Sequence, residues 1–291
     1  MYKLLAIDLD GTLLNSYGEV SEETKKAFKE AKEKGVEIVF ASGRPMTSTK
    51  NLAIECGVDN YVISGNGSVI YDIQNEEIIY DKLLSKEQVL KIARICEENS
   101  FYYSVYTEDG ALAKSLNYNI LYYHKENAKR AEEKRTNINV VQDMEQYIKE
   151  TEKDKFLKIT VCDESKSIFN SIMKKLKEID NIDVLDVEYM SRKIIKSGTE
   201  DIAIQYYYTE ITNQDVNKWT AIEFLMERLN ISKDEVMTIG DNNNDKEMVE
   251  NAGIGIVMGN SNPLMKEIGK DIVSDNNSEG VLEAIRKYIL V

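Results

Sequence analysis

Histidine occurs once among these 291 residues, tryptophan once, proline twice and cysteine three times. His124, in "NYNILYYHKE", is the sole imidazole, so a histidine-rich zinc site or a Ser-His-Asp triad would rest on it alone. A structural or surface role is expected for it. Cys56, Cys96 and Cys162 are odd in number, widely spaced and form no Cys-x-x-Cys pair. They read as reduced thiols, not as a disulfide framework or a metal site. Positive charge is also short: Lys and Arg number 37 against 51 Asp and Glu, a formal charge of −14. Nucleic acid would meet net repulsion, and no basic stripe with interleaved aromatics offsets it, so no nucleic-acid partner is expected. No apolar run approaches the roughly 20 residues of a membrane span. Lys3 and Asp8 interrupt the opening apolar run too early for a signal peptide. The expectation is a cytoplasmic protein with no membrane partner, a monomer by default.

What is present is a mixture of buried-strand and helix patterns. "YKLLAIDL" and "VEIVFAS" are apolar on both faces, as buried parallel strands are. Between them "SEETKKAFKEAKEKG" predicts a helix with Ser21 as N-cap and Gly35 as stop, and "MTSTKNLAIECG" predicts another after the second strand. Strand, helix, strand in this order implies a βαβ unit and an α/β fold with a doubly wound, Rossmann-like parallel sheet. The C-terminal third repeats the theme with "NKWTAIEFLMERLN", "EVMTIG", "NDKEMVENAG", "IGIVMG", "NPLMKEIG", "DIVS" and "SEGVLEAIRKYIL". The middle differs. "FYYSVYT", "KFLKITVCD", "IDVLDVEY" and "DIAIQYYYTEI" alternate and are rich in aromatics, which predicts a mixed or antiparallel sheet with helices on one face. One of those helices is "SKEQVLKIARICEEN", where Ser85 and Gln88 fit a capping box. The run "KENAKRAEEKR" reads as a solvated helix face. Residues 1–82 and 212–291 are therefore expected to form the core, and 83–211 an inserted α+β domain.

Ligands in open α/β sheets sit beyond the carboxyl ends of the strands. The first predicted strand ends in Asp8-Leu9-Asp10 followed by Gly11-Thr12, the second in Ser42-Gly43-Arg44, a third in "ISGNG" with Asn66, and a fourth in "GDNNND" with Asp241, Asn244 and Asp245. Lys218 starts the helix preceding that fourth strand. Such a carboxylate cluster calls for a cation, and hard oxygen ligands favour Mg²⁺. Asp8, Asp241 and the backbone carbonyl of Asp10 suffice to hold one. With the metal and Lys218 neutralising the site, a phosphate dianion can approach despite the overall negative charge. Asp8 then suits in-line attack on phosphorus, and Asp10 suits proton transfer to the leaving oxygen and from water. Gly11 permits a sharp exit from the strand, and Ser42 can donate to a phosphate oxygen. Asn242 and Asn243 are candidates for a further metal or water contact.

These segments resemble a known family. "DLDGTLL", "ASGR", Lys218 in "VNKW" and "GDNNND" are similar, in order, to the four motifs of the haloacid dehalogenase-like (HAD) hydrolase superfamily. "ISGNGSVIYD", "EIT…VNK" and "DNNSEGV" further resemble its Cof-type subfamily IIB phosphatases. The similarity is specific over about residues 1–82 and 210–291 and looser between. The resemblance implies a magnesium-dependent phosphatase acting on a small phosphomonoester, such as a sugar phosphate, through an aspartyl-phosphate. It assigns Asp8 as nucleophile and Asp10 as acid–base. Leu9, Ser42, Gly43, Lys218 and Asn244 would lie at the phosphate, with Asp8, Asp10 and Asp241 at the metal. Thr12, Arg44, Asn66 and Asp245 would support them, Asp245 by orienting Lys218 or the metal shell. Thr12, and aspartate rather than alanine at position 10, fit the phosphatase pattern better than phosphonate or haloacid cleavage. Ser42 and Lys218 stand 176 positions apart, where a bare sheet needs roughly a third of that for its crossovers. In the family an insert placed there is a C2-type cap. One departure is Trp219, where similar members carry glycine: turned inward it would reshape the leaving-group pocket, and turned outward it would anchor the helix.

Three other readings remain open. A phosphotransferase or phosphomutase could use the same aspartyl-phosphate, although mutases of the superfamily generally carry their cap between the first two motifs. A phospho-accepting signalling domain is far shorter and has no use for a second aspartate at i+2. A catalytically idle binding protein has no need for Asp8, Asp10, Lys218 and Asp241 together.

Overall fold

The structure, a computed structural model, describes every residue except 109, 129–130, 133–134, 187–190 and 198–199. The chain divides into two compact units, one of Met1–Asp81 with Val216–Val291 and one of Lys82–Asp215. The first segment carries β1 (Leu4–Ile7), α1 (Glu22–Glu33), β2 (Glu37–Ala41), α2 (Met46–Glu55), β3 (Tyr61–Ser64), β4 (Val69–Asp72) and β5 (Glu77–Asp81). The middle segment begins with β6 (Leu84–Ser85), α3 (Lys86–Glu98), β7 (Tyr102–Tyr106), β8 (Gly110–Ala113), α4 (Tyr118–Asn127), β9 (Asn137–Val140) and α5 (Met144–Glu150). It continues with β10 (Lys155–Phe156), β11 (Lys158–Asp163), α6 (Lys166–Leu176), β12 (Ile182–Val184), β13 (Ser191–Ser197) and β14 (Glu200–Asn213). The last segment holds α7 (Lys218–Leu229), β15 (Val236–Gly240), α8 (Lys246–Asn251), β16 (Ile254–Val257), α9 (Pro263–Ile268), β17 (Asp271–Ile272) and α10 (Gly280–Tyr288).

The first unit is built on an eight-stranded sheet in the order β17-β16-β15-β1-β2-β3-β4-β5. All of β1 is buried, and successive side chains leave on opposite faces. Leu5 and Ile7 join Phe28 of α1, Ala53 of α2 and Leu282 and Ile285 of α10 in one hydrophobic cluster. Leu4 and Ala6 join Ile222 and Leu225 of α7, Met248 of α8 and Met265 of α9 in another. A strand apolar on both sides therefore fills two cores, which makes the fold α/β and doubly wound. Trp219 lies in the second cluster, 6% exposed, with Lys233 over its ring. One part of the sheet departs from the parallel expectation. Strands β17 to β3 run parallel, but β4 pairs antiparallel with β3, and β5 with β4. The chain between β3 and β4 is four residues, Gly65 to Ser68, containing the tight turn Gly65–Gly67, too short for a parallel crossover.

The second unit carries the sheet β12-β14-β11-β7-β8-β9, with β13 paired to β14, and a separate two-stranded pair β10-β6. It is mostly antiparallel, with one parallel pair, β8 and β9. Tyr103, Val105, Ile159, Val161 and Ile211 share a hydrophobic cluster with residues of α3, α5 and α6. The alternating residues Ser104, Tyr106, Lys158 and Thr160 take the opposite face by the pleat. There Tyr118 of α4 meets Tyr206 in a tilted contact and Tyr123 meets Tyr106 edge to face. The Ser85–Gln88 capping box starts α3. Strand β14 runs through Thr212 to Asn213, so 212–215 count with this unit. Within 125–135, α4 reaches Asn127, and 129–130 and 133–134 lie outside the described residues. Of "IDVLDVEY", β12 takes the first three positions, and 187–189 lie outside the described residues. His124 is exposed on α4, and all three cysteines are buried and unbridged. No helix among the described residues is long and apolar enough to cross a membrane.

Candidate active site

Four neighbouring parallel strands, β15, β1, β2 and β3, end at one edge of the first unit's sheet. Asp8 follows β1 directly, Ser42 follows β2, Gly65 and Asn66 follow β3, and Asp241 follows β15. A buried strand end fixes the backbone, so the next side chain has few orientations. Asp8 is 4% exposed, and its amide donates to the Ile239 carbonyl of β15. Lys218, at the first turn of α7, is fully buried. Its ammonium donates to Asp8 Oδ1 at 2.5 Å and to Asp245 Oδ1 at 2.6 Å. The other oxygen of Asp245 accepts from the amides of Asp241 and Asn242 at 2.9 and 3.1 Å. Asp245 thus spends both oxygens on holding the lysine and the loop.

Thr12 Oγ1 donates to Asp241 Oδ1 at 2.9 Å, tying the loop after β1 to the loop after β15. That approach explains Gly11, which has φ +88 and where a Cβ would run into the Asp241 carboxylate. Gly67 is comparable: at φ +104, a Cβ would meet the Asn217 carbonyl next to Lys218. Asn66 is held in the left-handed region at φ 60 and its Oδ1 accepts from Asn244 Nδ2 at 3.1 Å. Arg44, 3% exposed, forks onto Asp10: Nε to Oδ2 at 2.7 Å and Nη2 to Oδ1 at 2.6 Å. Ser42 is buried, and its hydroxyl accepts from the Arg44 amide at 3.2 Å. The Leu9 side chain lies in the hydrophobic core, which leaves only its backbone for any polar contact. Gly43 follows Ser42 in the same loop.

Two asparagine-rich loops were not read from the sequence as part of this arrangement. Asn260 donates to the Gly11 carbonyl at 2.8 Å, and Asn276 donates to the Leu14 carbonyl at 2.8 Å. The Asn276 amide also binds Asn260 Oδ1 at 3.2 Å, so the two act together on the loop after β1. The signal available was the "DNNSEG" stretch, which pattern alone leaves as a turn. Asn242 Oδ1 accepts from the Asn243 amide within the loop, and Asn243 Oδ1 accepts from Asn262, which caps α9.

The electrostatics are unbalanced. Asp8, Asp241 and Asp245 bring carboxylate oxygens within 4.8 Å of one another, around one lysine. Burial, and then the charge of Asp245, push the Asp8 carboxyl up to about 7 from an ordinary 3.8, against the pull of Lys218. Asp241 is pushed well up as well, first by removal from water and then by Asp8 and Asp245. Burial works against the Lys218 ammonium, yet Asp245 and Asp8 overcome it and hold its proton more tightly than usual. A hard, oxygen-only donor set with surplus negative charge fits a divalent cation such as Mg²⁺.

The chain belongs to the haloacid dehalogenase-like hydrolases: the model of that family matches residues 5–285. Among similar proteins, phosphatase YwpJ of Bacillus subtilis is 27% identical, over 99% of this chain and 100% of its own. A second Bacillus subtilis relative, 5-amino-6-(5-phospho-D-ribitylamino)uracil phosphatase YcsE, is 27% identical over 99% of this chain and 96% of its own. A solved haloacid dehalogenase-like hydrolase from B. subtilis shares the fold with a TM-score of 0.81, at 24% identity and covering 98% of this chain and 99% of its own. With relatives of that kind along its whole length, the chain is a phosphatase enzyme of this family.

Proposed function

We propose that the protein is a Mg²⁺-dependent phosphatase that hydrolyses a small phosphorylated metabolite, a sugar phosphate or similar phosphomonoester, through an aspartyl-phosphate. One observation carries this reading: the buried Asp8 carboxylate, fixed by Lys218 at a strand end, lies among more negative charge than the protein itself neutralises. Asp8, Asp241 and the Asp10 backbone carbonyl would hold the metal. Bound there, Mg²⁺ supplies positive charge that keeps the carboxylates ionised and offsets the substrate's phosphate oxygens.

Asp8 attacks phosphorus in line, the bond from phosphorus to the leaving oxygen breaks, and Asp10 gives that oxygen a proton. Water then attacks the phosphorus of the aspartyl-phosphate and gives a proton to Asp10, and the bond to Asp8 breaks, releasing inorganic phosphate. Lys218, the Ser42 hydroxyl, the Leu9 and Gly43 backbone and Asn244 would bind phosphate oxygens. Asp245 holds Lys218 for that task, and Thr12 holds Asp241 for the metal. The unit of residues 82–215 would act as the C2-type cap that selects the leaving group. A substrate carrying a phosphate ester on a small polar body also suits the YcsE relative, which is named for a phosphoribityl compound.

The test is phosphate release from p-nitrophenyl phosphate by purified protein with Mg²⁺ and with a chelator. Activity is expected only with the metal. Asp8→Asn should lower the rate by roughly three decades or more, the loss that follows removal of a nucleophile. A variant that kept most of the activity would remove Asp8 from the role of nucleophile. Asp10→Asn should be nearly inactive and retain phosphate on the protein after rapid mixing.

A further inference from the structure

We infer that Arg44 is the positioning residue for the acid–base Asp10, an inference that rests on the function proposed above. Asp10 sits beyond the end of β1 in a loop, and its side chain is 43% exposed. An aspartate so placed would sample several rotamers, and proton transfer needs the acid within hydrogen-bond reach of the reacting oxygen. Here both of its oxygens are taken by one guanidinium, at 2.6 and 2.7 Å. That two-point fork fixes the plane of the carboxylate as well as its position, which a single ammonium cannot do.

The fork is itself held from two strand ends. The Arg44 amide donates to Ser42 Oγ, and the Arg44 carbonyl accepts from the Gly65 amide at 3.1 Å. Its side chain is only 4% exposed, so the guanidinium has little freedom of its own. A carboxylate oxygen accepts at more than one lone pair, so the fork leaves room for the travelling proton. Arg44 acts through Asp10: it sets where Asp10 presents its proton.

The distinguishing readout is how the loss depends on the leaving group. p-Nitrophenol leaves readily without a proton, whereas phenol, with a pKa of about 10, depends on one. The two esters are close in shape, so a general loosening of the site lowers kcat/KM for both alike. Arg44→Gln is expected to lose roughly ten-fold or more additional kcat/KM on phenyl phosphate than on p-nitrophenyl phosphate. Arg44→Lys, which keeps the charge but not the fork, should show the same selective loss. Asp10→Glu, which moves the carboxylate by one methylene and leaves Arg44 intact, should show it too as the reference for a displaced acid. Arg44→Met, which keeps the buried stem without the fork, carries the comparison if neither other Arg44 variant folds. In an Asp10→Asn background, Arg44→Gln should add no selectivity. Equal losses on both esters, or a wild-type ratio restored by lysine, would overturn the inference. A wild-type protein inactive on both esters would count against the proposed function instead.

Discussion

Among the described residues, each of the two units buries one lysine against carboxylates, and the two arrangements differ in their charge balance. In the second unit Lys158 and Glu210 form a close ion pair, side chains 4% and 10% exposed, with the Tyr106 ring 5.1 Å from the ammonium. One cation meets one anion on neighbouring strands of the sheet. In the first unit Lys218 meets Asp8 and Asp245, with Asp241 alongside. A closed pair can be exchanged for apolar residues of similar size at little cost, so it is evidence of a local packing solution. A surplus of buried negative charge weakens the fold and has no packing purpose. The contrast favours the first unit as the carrier of the proposed active site on physical grounds, independently of any motif.

The contrast is sharpest if both lysines are replaced by methionine. Lys218→Met leaves buried carboxylates without their cation, and the metal-free protein should lose about 5 kcal/mol in a denaturant titration. Phosphate release should fall by roughly two decades or more, because a fixed positive charge facing the phosphate is gone. Adding Asp245→Asn should recover part of the stability and none of the activity. Lys158→Met should cost less, about 3 kcal/mol, since it takes the cation from one carboxylate and not from two. Adding Glu210→Gln should restore nearly all of it. If the second double variant were no better than its single, the pair would not be the closed unit described here.

The same difference explains how much could be read from the chain itself. Leu4–Ile7 announce a strand buried on both faces because four consecutive apolar residues leave no side for water, and both hydrophobic clusters duly take them in. Asp8, Asp241 and Lys218 each have an ordinary reading alone, and were conspicuous only together, as charge gathered at or beside the ends of such strands. The Arg44–Asp10 fork was not legible: an arginine two residues past a serine says nothing of where its guanidinium lands, 34 positions back. The asparagines at 260 and 276 were hidden for a related reason, since their partners are backbone carbonyls, which every residue carries. The turn of β4 against β3 runs through a four-residue loop with Asn66 left-handed, and its Asn66-Gly67 pair between two apolar runs was a hairpin signal not read from the sequence. In the second unit alternation predicted a mixed or antiparallel sheet, but which pair runs parallel, here β8 with β9 across α4, depends on the connection, which side-chain pattern leaves free.

The smallest expected effect is also the most direct measure of the surplus charge. The Asp8 carboxyl titrates at about 7 in the folded, metal-free chain, against an ordinary 3.8. Between these values the folded protein holds a proton that the unfolded chain has released. Folding then takes up a proton, and raising the pH through that window lowers stability. The contribution is absent below about 4 and complete above about 7, and Asp241, also pushed up, acts in the same direction. Melting midpoints of the metal-free protein at about pH 5 and about pH 7.5 should therefore fall, by about 2–4 °C for each kcal/mol lost. Asp8→Asn, with no proton to exchange at that position, should fall less over the same interval. Mg²⁺ should raise the wild-type midpoint more at the higher pH, because there it meets ionised carboxylates and displaces no proton. Parallel behaviour of wild type and variant would mean that Lys218 alone balances the cluster, and the distinction between the two buried lysines would disappear.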